Sequence, residues 1–367
     1  VDETTRLAGL VQERISDVIT EHRADLAPLG SDSAPVLDEA HTYLSGGKRL
    51  RAQFAALGYR SVAPLDLAGT PGPELDQVLD VACALEFFHA AALIHDDVID
   101  RSDTRRGRPA VHRHFAAIHR SNGWRGSAEH FGLSSAILLG DLLQSWADER
   151  LQRACDAAPE REYAATARGH FNRMRSEVAI GQYLDVLEEQ IPSFAPEQEQ
   201  LARSTRVLIY KSAKYSVEAP LLIGAALAGA SAEQEQALAD FGLPVGVAFQ
   251  LRDDLLGVFG DQEVTGKPAG DDLAEGKRTI LVTIARSALP ATQQRVFDEL
   301  VGDPHLDAEQ IEMLQRTIRG TGAVDQVEQM IARNLERATG ALADSPLRPE
   351  ARTQLSALAH RVSKRDF

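Results

Sequence analysis

Apolar residues recur every three to four positions along most of the 367-residue chain, in long runs broken by short polar joints. That spacing is the period of an amphipathic helix. It predicts helices over 7–20, 34–43, 75–101, 133–157, 161–188, 196–230 and 233–257, with more helical pattern beyond. Sustained two-residue alternation, the signature of strands, is nearly absent. Gly and Pro collect in connectors such as AGTPGPE (68–74) and EQIPSFAPE (189–197). The pattern predicts one all-α domain over 1–367, a single large bundle of long helices, with HRSNGWRGSAEHFG (119–132) as its one flexible insertion.

The helix over 75–101 is apolar on nearly every face (VACALEFFHAAAL), which for a helix means burial at the centre of a bundle. It ends in ALIHDDVIDRSDTRRGRP (91–108), where Asp96, Asp97 and Asp100 are followed within ten residues by Arg105, Arg106 and Arg108. Asp96 and Asp100 lie one turn apart on a shared face, and Asp97 points to the adjacent side. Carboxylates at this end oppose the helix dipole. A hard divalent ion reverses that argument, since Mg²⁺ binds one or two carboxylates and shares its other positions with phosphate and water. A solvated acidic helix end is the plain alternative.

The theme returns in FQLRDDLLGVFGDQEVTGKPAGDDLAEGKRT (249–279), where Asp253 and Asp254 precede Lys267, Asp271, Asp272, Lys277 and Arg278. A single charged loop after an apolar helix is common. Two segments that each end an apolar helix in a carboxylate pair are harder to explain by solvation. SGGKRLRAQ (45–53) sets two glycines before Lys48, Arg49 and Arg51, so that backbone N–H groups and cations can converge on an anion, although the P-loop spacing is missing. His89, inside the apolar run, reads first as a satisfied core residue and only second as a ligand. Lys211 and Lys214 in IYKSAKYS break another apolar helix and, taken alone, read as snorkelling lysines.

A net charge of −15 argues against a nucleic-acid partner, so an anionic ligand has to be met by local basic clusters. Cys83 and Cys155, the two cysteines, form neither a disulfide framework nor a zinc site, and a reducing, cytoplasmic setting is expected. No charge-free apolar run of membrane-spanning length is apparent, and VDETTRLAGL at the start lacks the pattern of a signal peptide. A greasy substrate would be met from the water side.

Taken in order, GGKRLR, HDDVIDRSDTRRGRP, the Gly140-Asp141 pair, GQYLD (181–185), Lys211 and FQLRDD with GKPAGDDLAEGKRT resemble the trans-isoprenyl diphosphate synthases, the polyprenyl synthetase family, over nearly the whole chain. The resemblance implies an all-α fold of isoprenoid synthase type, helices around a central cavity, with two aspartate-rich motifs on facing helices. It implies that Asp96, Asp97 and Asp100 bind Mg²⁺ bridging to an allylic diphosphate, and that Asp254 with Asp253 holds a further ion, three ions in all. Arg105, Lys211 with Ser212, Lys267 and Lys277 match positions that hold the allylic diphosphate. Lys48, Arg51, His89 and Arg106 match those for isopentenyl diphosphate, and Gln250 a glutamine beside the reacting carbons. A homodimer is implied as well.

Ionising an allylic diphosphate places positive charge on carbon and negative charge on the leaving group, which explains Mg²⁺, Arg and Lys around the leaving oxygens and an apolar, dry cavity for the cation. The expected reaction is head-to-tail condensation of isopentenyl diphosphate with an allylic diphosphate, and the expected product is geranylgeranyl diphosphate. Farnesyl or longer products are the alternatives. Ala91 and Ala92 leave the first turn behind the aspartates open, and Phe88 is the first bulky candidate for a floor. The chain departs from the family pattern at Gly257, where the second motif usually carries a third aspartate, at Ser212-Ala213 and at Ala52. A class I terpene cyclase would need an acid where Ile180 follows Asn172 and Ser176, and a non-catalytic subunit would be expected to lose one of the motifs.

Overall fold

The computed structural model describes residues 3–67, 72–190, 197–260, 270–303 and 305–364. The chain runs α1 (Glu3–Asp25), α2 (Ala34–Tyr43), α3 (Leu50–Val62), α4 (Pro73–Ile99), a hairpin of β1 (Thr104–Arg105) and β2 (Arg108–Pro109), then α5 (Val111–Ser121), α6 (Ala128–Asp156) and α7 (Arg161–Gln190). It continues through α8 (Glu197–Val207), a π-helical segment (Leu208–Glu218), α9 (Ala219–Leu227) and α10 (Ala232–Phe259). The last elements are α11 (Asp271–Glu275), α12 (Ile280–Ser287), α13 (Ala291–Leu300), α14 (Ala308–Gly320), α15 (Ala323–Leu342) and α16 (Pro349–Ser363). The all-α prediction holds, and the hairpin is the one sheet among the described residues. The chain packs as two compact units, Val1–His170 with Pro220–Ser231, and Phe171–Ala219 with Ala232–Phe367.

In the first unit α4 packs along α6 and against α3, and Val78, Val81, Leu85, Phe88 and Ile94 are all buried, as an all-round apolar helix requires. Trp146 of α6 meets Phe87 edge-on at 5.9 Å and stacks on His22 at 4.3 Å. By length and composition α4 could cross a membrane, but it is not free of charge, so the expectation of no charge-free run of that length stands among the described residues. Most of that stretch is buried inside the protein. Its interior charges are paired instead of lipid-facing: Asp80 accepts from Arg14 at 2.8 Å and Glu86 from Arg49 at 2.7 Å.

Two expectations from the periodicity need correcting. Residues 119–132, read as a flexible insertion, form the end of α5, a turn and the start of α6. The rings of Trp124 and Phe131 meet at 5.3 Å, and those of His119 and Trp124 at 6.0 Å, so aromatic packing closes a segment whose polar composition suggested none. The helix expected over 196–230 is not uniform, because its middle widens into the π-helical segment.

In the second unit α10 carries the core. Leu251, Leu255 and Val258, spaced one and two turns apart, are fully buried with Leu281 and Ala285 of α12 and Val327 and Ile331 of α15. On α10 Arg252 forks onto Glu328 of α15 at 2.6 and 2.7 Å, and its Nε donates to the Ser363 carbonyl at 3.0 Å. A bidentate guanidinium fixes direction as well as distance. The residue next to the second carboxylate pair therefore orients the helix that carries it.

Candidate active site

At the end of α4, Asp97 is wholly buried while Asp96 and Asp100 are partly exposed. The chain then turns back through Arg106 (φ 54) and Gly107 (φ 71), two left-handed residues in a two-residue loop, so Arg105 pairs with Arg108 across the hairpin. That turn aims Arg105 at the aspartates. Its Nε donates to Asp97 Oδ1 at 2.8 Å, its Nη2 also reaches Asp97, and Nη2 lies 3.4 Å from Asp96 Oδ2. Burial works against the guanidinium charge, but Asp97 and Asp96 more than offset it and raise the Arg105 pKa above its usual value. The Tyr43 hydroxyl, buried beside the same group, has no hydrogen-bond partner, and burial together with the Asp97 charge pushes its pKa up.

The Gly140-Asp141 pair has a positional explanation. A Cβ on Gly140 would lie 2.2 Å from His95 Nε2, and that nitrogen sits 3.6 Å from Asp141 Oδ1. The glycine lets α6 press against the residue just before Asp96.

A basic cradle lies one to two turns earlier on α4. The Arg49 side chain crosses from the glycine-rich turn to Glu86, and Lys48 stays exposed with its carbonyl accepting from Gln53 at 2.6 Å. Burial, then the charges of Arg51, Arg106, Arg105 and Arg49, push the His89 imidazole well below its ordinary pKa. His89 is thus neutral and surrounded by arginines. The sequence favoured a core residue over a ligand; the charges of four arginines reach it, two of them held by Glu86 and Asp97. Phe88 and Ala91 are buried beside it, and Ala92 is partly exposed.

In the second unit the π-helical segment is gripped by two glycines. A Cβ on Gly181 of α7 would lie 2.5 Å from the Lys211 backbone nitrogen, and one on Gly246 of α10 would lie 2.3 Å from the Ala213 carbonyl oxygen. One turn beyond Gly181, Asp185 meets Lys211 Nζ at 2.5 Å. One turn beyond Gly246, Gln250 donates to Asp254 Oδ1 at 2.8 Å. Ser212 is partly buried on the same segment, and Lys214 pairs with Glu177 at 2.8 Å, so of the two lysines Lys211 is the one held at the carboxylate cluster. Asp185 was quoted in the sequence without a role; its signal was the four-residue spacing from Gly181 in GQYLD.

Asp254 is buried and Asp253 partly so. Burial outweighs the hydrogen bond from Gln250, and with the charges of Asp272, Asp253 and Asp185 nearby it pushes Asp254 up to about 8. Of these acids Asp185 is held by Lys211, and Asp272 lies 3.8 Å from Lys277. A Mg²⁺ ion, which takes oxygen ligands and tolerates water and phosphate in its remaining positions, fits this donor set and that of Asp96, Asp97 and Asp100. Among the described residues no three His, Cys, Asp or Glu side chains are grouped so as to hold an ion by themselves. Lys277 pairs with Glu275 at 2.5 Å and lies 3.8 Å from Asp272. Lys267 lies outside the described residues.

The polyprenyl synthetase family model matches residues 34–318, more than three quarters of the chain. A crystal structure of geranylgeranyl pyrophosphate synthase from Corynebacterium glutamicum, complexed with isoprenyl diphosphate and magnesium, is similar over the full length of both chains, with a TM-score of 0.90 and 38% identity. The geranylgeranyl diphosphate synthase of Methanosarcina mazei is 33% identical over 82% of this chain and 81% of its own. The octaprenyl diphosphate synthase of Escherichia coli is 30% identical over 95% and 96% respectively. The chain belongs to the polyprenyl synthetase family and is an enzyme of the prenyltransferase class.

Proposed function

We propose that the chain is a Mg²⁺-dependent, head-to-tail prenyltransferase that adds isopentenyl diphosphate to an allylic diphosphate and releases geranylgeranyl diphosphate. The observation that carries this reading is the end of α4. One helix bears a carboxylate group suited to a metal–diphosphate complex at Asp96, Asp97 and Asp100, and a neutral histidine among arginines, suited to a second diphosphate, at His89. A terpene cyclase has no use for the second of these.

Bound Mg²⁺ supplies the charge that stabilises the departing diphosphate. The chain's own groups do the rest. Arg105 and Lys211, each now on an aspartate, are cations within reach of the acids and available to leaving oxygens. His89, Arg51, Arg106 and Lys48 orient the second diphosphate. The apolar residues of α4 around Phe88 and Ala91 exclude water from the hydrocarbon. Three ions, action of the chain as one catalytic domain, and a cytoplasmic location belong to the same proposal. So does a homodimer, favoured by Leu133, Ile137 and Leu138 standing exposed on α6.

The test is to incubate the full-length protein with labelled isopentenyl diphosphate, dimethylallyl, geranyl or farnesyl diphosphate in turn, and Mg²⁺. Twenty-carbon product that requires both an allylic starter and Mg²⁺ is expected. No incorporation with any starter overturns the reading.

A further inference from the structure

Tyr43 ends α2, and its hydroxyl is buried without a hydrogen-bond partner. A buried donor left unsatisfied costs free energy, so its place calls for an explanation. The helix that carries it is fixed on both sides of the ring. Four residues earlier the buried Glu39 meets His114 Nε2 of α5 at 3.4 Å, and one residue later the Leu44 carbonyl accepts from Arg49. Tyr43 is thus held where it stands.

The charges that reach the hydroxyl are those at the end of α4 and in the hairpin: Asp97, Arg105, Arg106 and Asp96. Of these the arginines can only donate, so the acceptors open to a phenol are the two aspartates. Asp97 is the one wholly buried. Its Oδ1 already accepts from Nε and Nη2 of Arg105, and Nη2 also lies 3.4 Å from Asp96 Oδ2. Arg105 is at the same time a cation that a diphosphate would draw. Moving it takes two N–H donors from a buried carboxylate, which is strongly unfavourable unless another donor takes their place.

We propose that Tyr43 is a positioning residue whose hydroxyl turns to Asp97 when Arg105 goes over to a bound diphosphate, so that the guanidinium is released without stripping the buried carboxylate. The proposal rests on the reading of Arg105 as a diphosphate-binding cation. It accounts for a buried donor without an acceptor, because the acceptor is the one Arg105 holds. Exchange of one donor for another on Asp97 also keeps that side chain in place while the arginine beside it moves.

Tyr43→Phe keeps the ring and removes only the hydroxyl, and two measurements on the full-length protein read its effect. Without ligand, its melting temperature should equal or exceed that of wild type, since no hydrogen bond is lost. Inorganic pyrophosphate, titrated calorimetrically in Mg²⁺ buffer, should bind about 10–100-fold more weakly, the worth of a hydrogen bond to a charged group. A merely structural hydroxyl gives the opposite pattern, a lower melting temperature with affinity unchanged, and that result overturns the proposal. The exchange is also visible without any ligand. Once Arg105→Ala has freed Asp97, the hydroxyl should bond to it, so that adding Tyr43→Phe lowers the melting temperature by at least about 1 °C where it did not before. No such coupling in a folded Arg105→Ala background overturns the proposal as well. If Arg105→Ala does not fold, the first two measurements decide alone. Should wild type itself fail to bind pyrophosphate, the functional reading falls and the exchange with it; should wild type and Tyr43→Phe bind it equally, only the role of Tyr43 falls.

Discussion

Arg49 Nη1 donates to Glu86 Oε2 at 2.7 Å, tying the glycine-rich turn to the middle of α4 with both side chains almost wholly buried. Arg49 does so from a left-handed backbone (φ 50), and its Nη2 also donates to Gln12 Oε1 at 2.7 Å and to the Leu44 carbonyl. A non-glycine residue there is strained. The side-chain bonds hold it, and they also set the direction of Lys48 and Arg51 on either side. Arg49→Ala leaves Glu86 buried without its cation, for which a loss of about 3–5 kcal/mol is expected in urea unfolding. A loss under about 1 kcal/mol, no more than an exposed pair contributes, would show that the pair does not hold the turn.

The raised pKa of Asp254 gives a pH dependence with a definite sign. Folded, the group titrates near 8; unfolded, near its ordinary value of 3.8. Between those values the folded state holds the extra proton, so this group's contribution to stability falls as pH rises through the window and levels off above about 8. In the metal-free protein Asp254→Asn should gain in melting temperature relative to wild type from pH 5 to 8, with the gap constant beyond. A gap that narrows as pH rises would reverse the assignment. Mg²⁺ binding at this site should release a proton near neutral pH, which calorimetry in two buffers of different ionisation enthalpy reads directly.

The helices were legible because burial imposes a period on sequence. α2 falls on the residues expected, and α4 and α7 differ by a residue or two at their ends. Asp96, Asp97, Asp254 and Lys211 stood out too, because they are charges that interrupt apolar helices. Relations across long separations did not. Nothing local to Gly257 says that the Asp272 carboxylate packs against it, and nothing in IYKSAKYS says that two glycines from other helices clamp it. The Arg106-Gly107 turn that aims Arg105 is too short to register as a strand pair.

Gly181 carries a consequence for catalysis by close approach alone. A methyl group at 181 would meet the Lys211 nitrogen at 2.5 Å, and backbone cannot yield as a side-chain tip can. Gly181→Ala should therefore shift the π-helical segment, cost about 1–3 kcal/mol of stability, and lower turnover more than it raises the Michaelis constant for isopentenyl diphosphate. Turnover equal to wild type would mean that the position of Lys211 is not critical.

The two diphosphate sites should separate kinetically. His89→Ala and Lys48→Ala should raise the Michaelis constant for isopentenyl diphosphate more than that for the allylic substrate, and Lys211→Ala should do the reverse. Neutral His89 gains a reason to protonate once an anion sits beside it, so weaker binding of isopentenyl diphosphate as pH rises should disappear in His89→Ala. Equal effects of all three variants on both substrates would overturn the division of bases.

Product length offers a test of α4 itself. A chain anchored at Asp96 and Asp100 that grows back along this helix passes Ala91 and Ala92 first and reaches Phe88 about 4.5 Å further on, at 1.5 Å per residue. Ala91 is fully buried and Phe88 nearly so. A larger group at 91 would raise a wall one turn early, and loss of the ring at 88 would remove the next one. Ala91→Phe should shift product toward farnesyl diphosphate, with Ala91→Leu as a milder version, since overpacking a closed position costs about 1–3 kcal/mol. Phe88→Ala should release chains beyond twenty carbons. Its cost in stability, about 3–5 kcal/mol for a buried phenylalanine, makes a folded-state check part of the measurement. If folded Ala91→Leu and Phe88→Ala both give the wild-type product distribution by radiolabel chromatography, the stop is set by residues on other helices, and the open turn at Ala91 and Ala92 is a packing feature only.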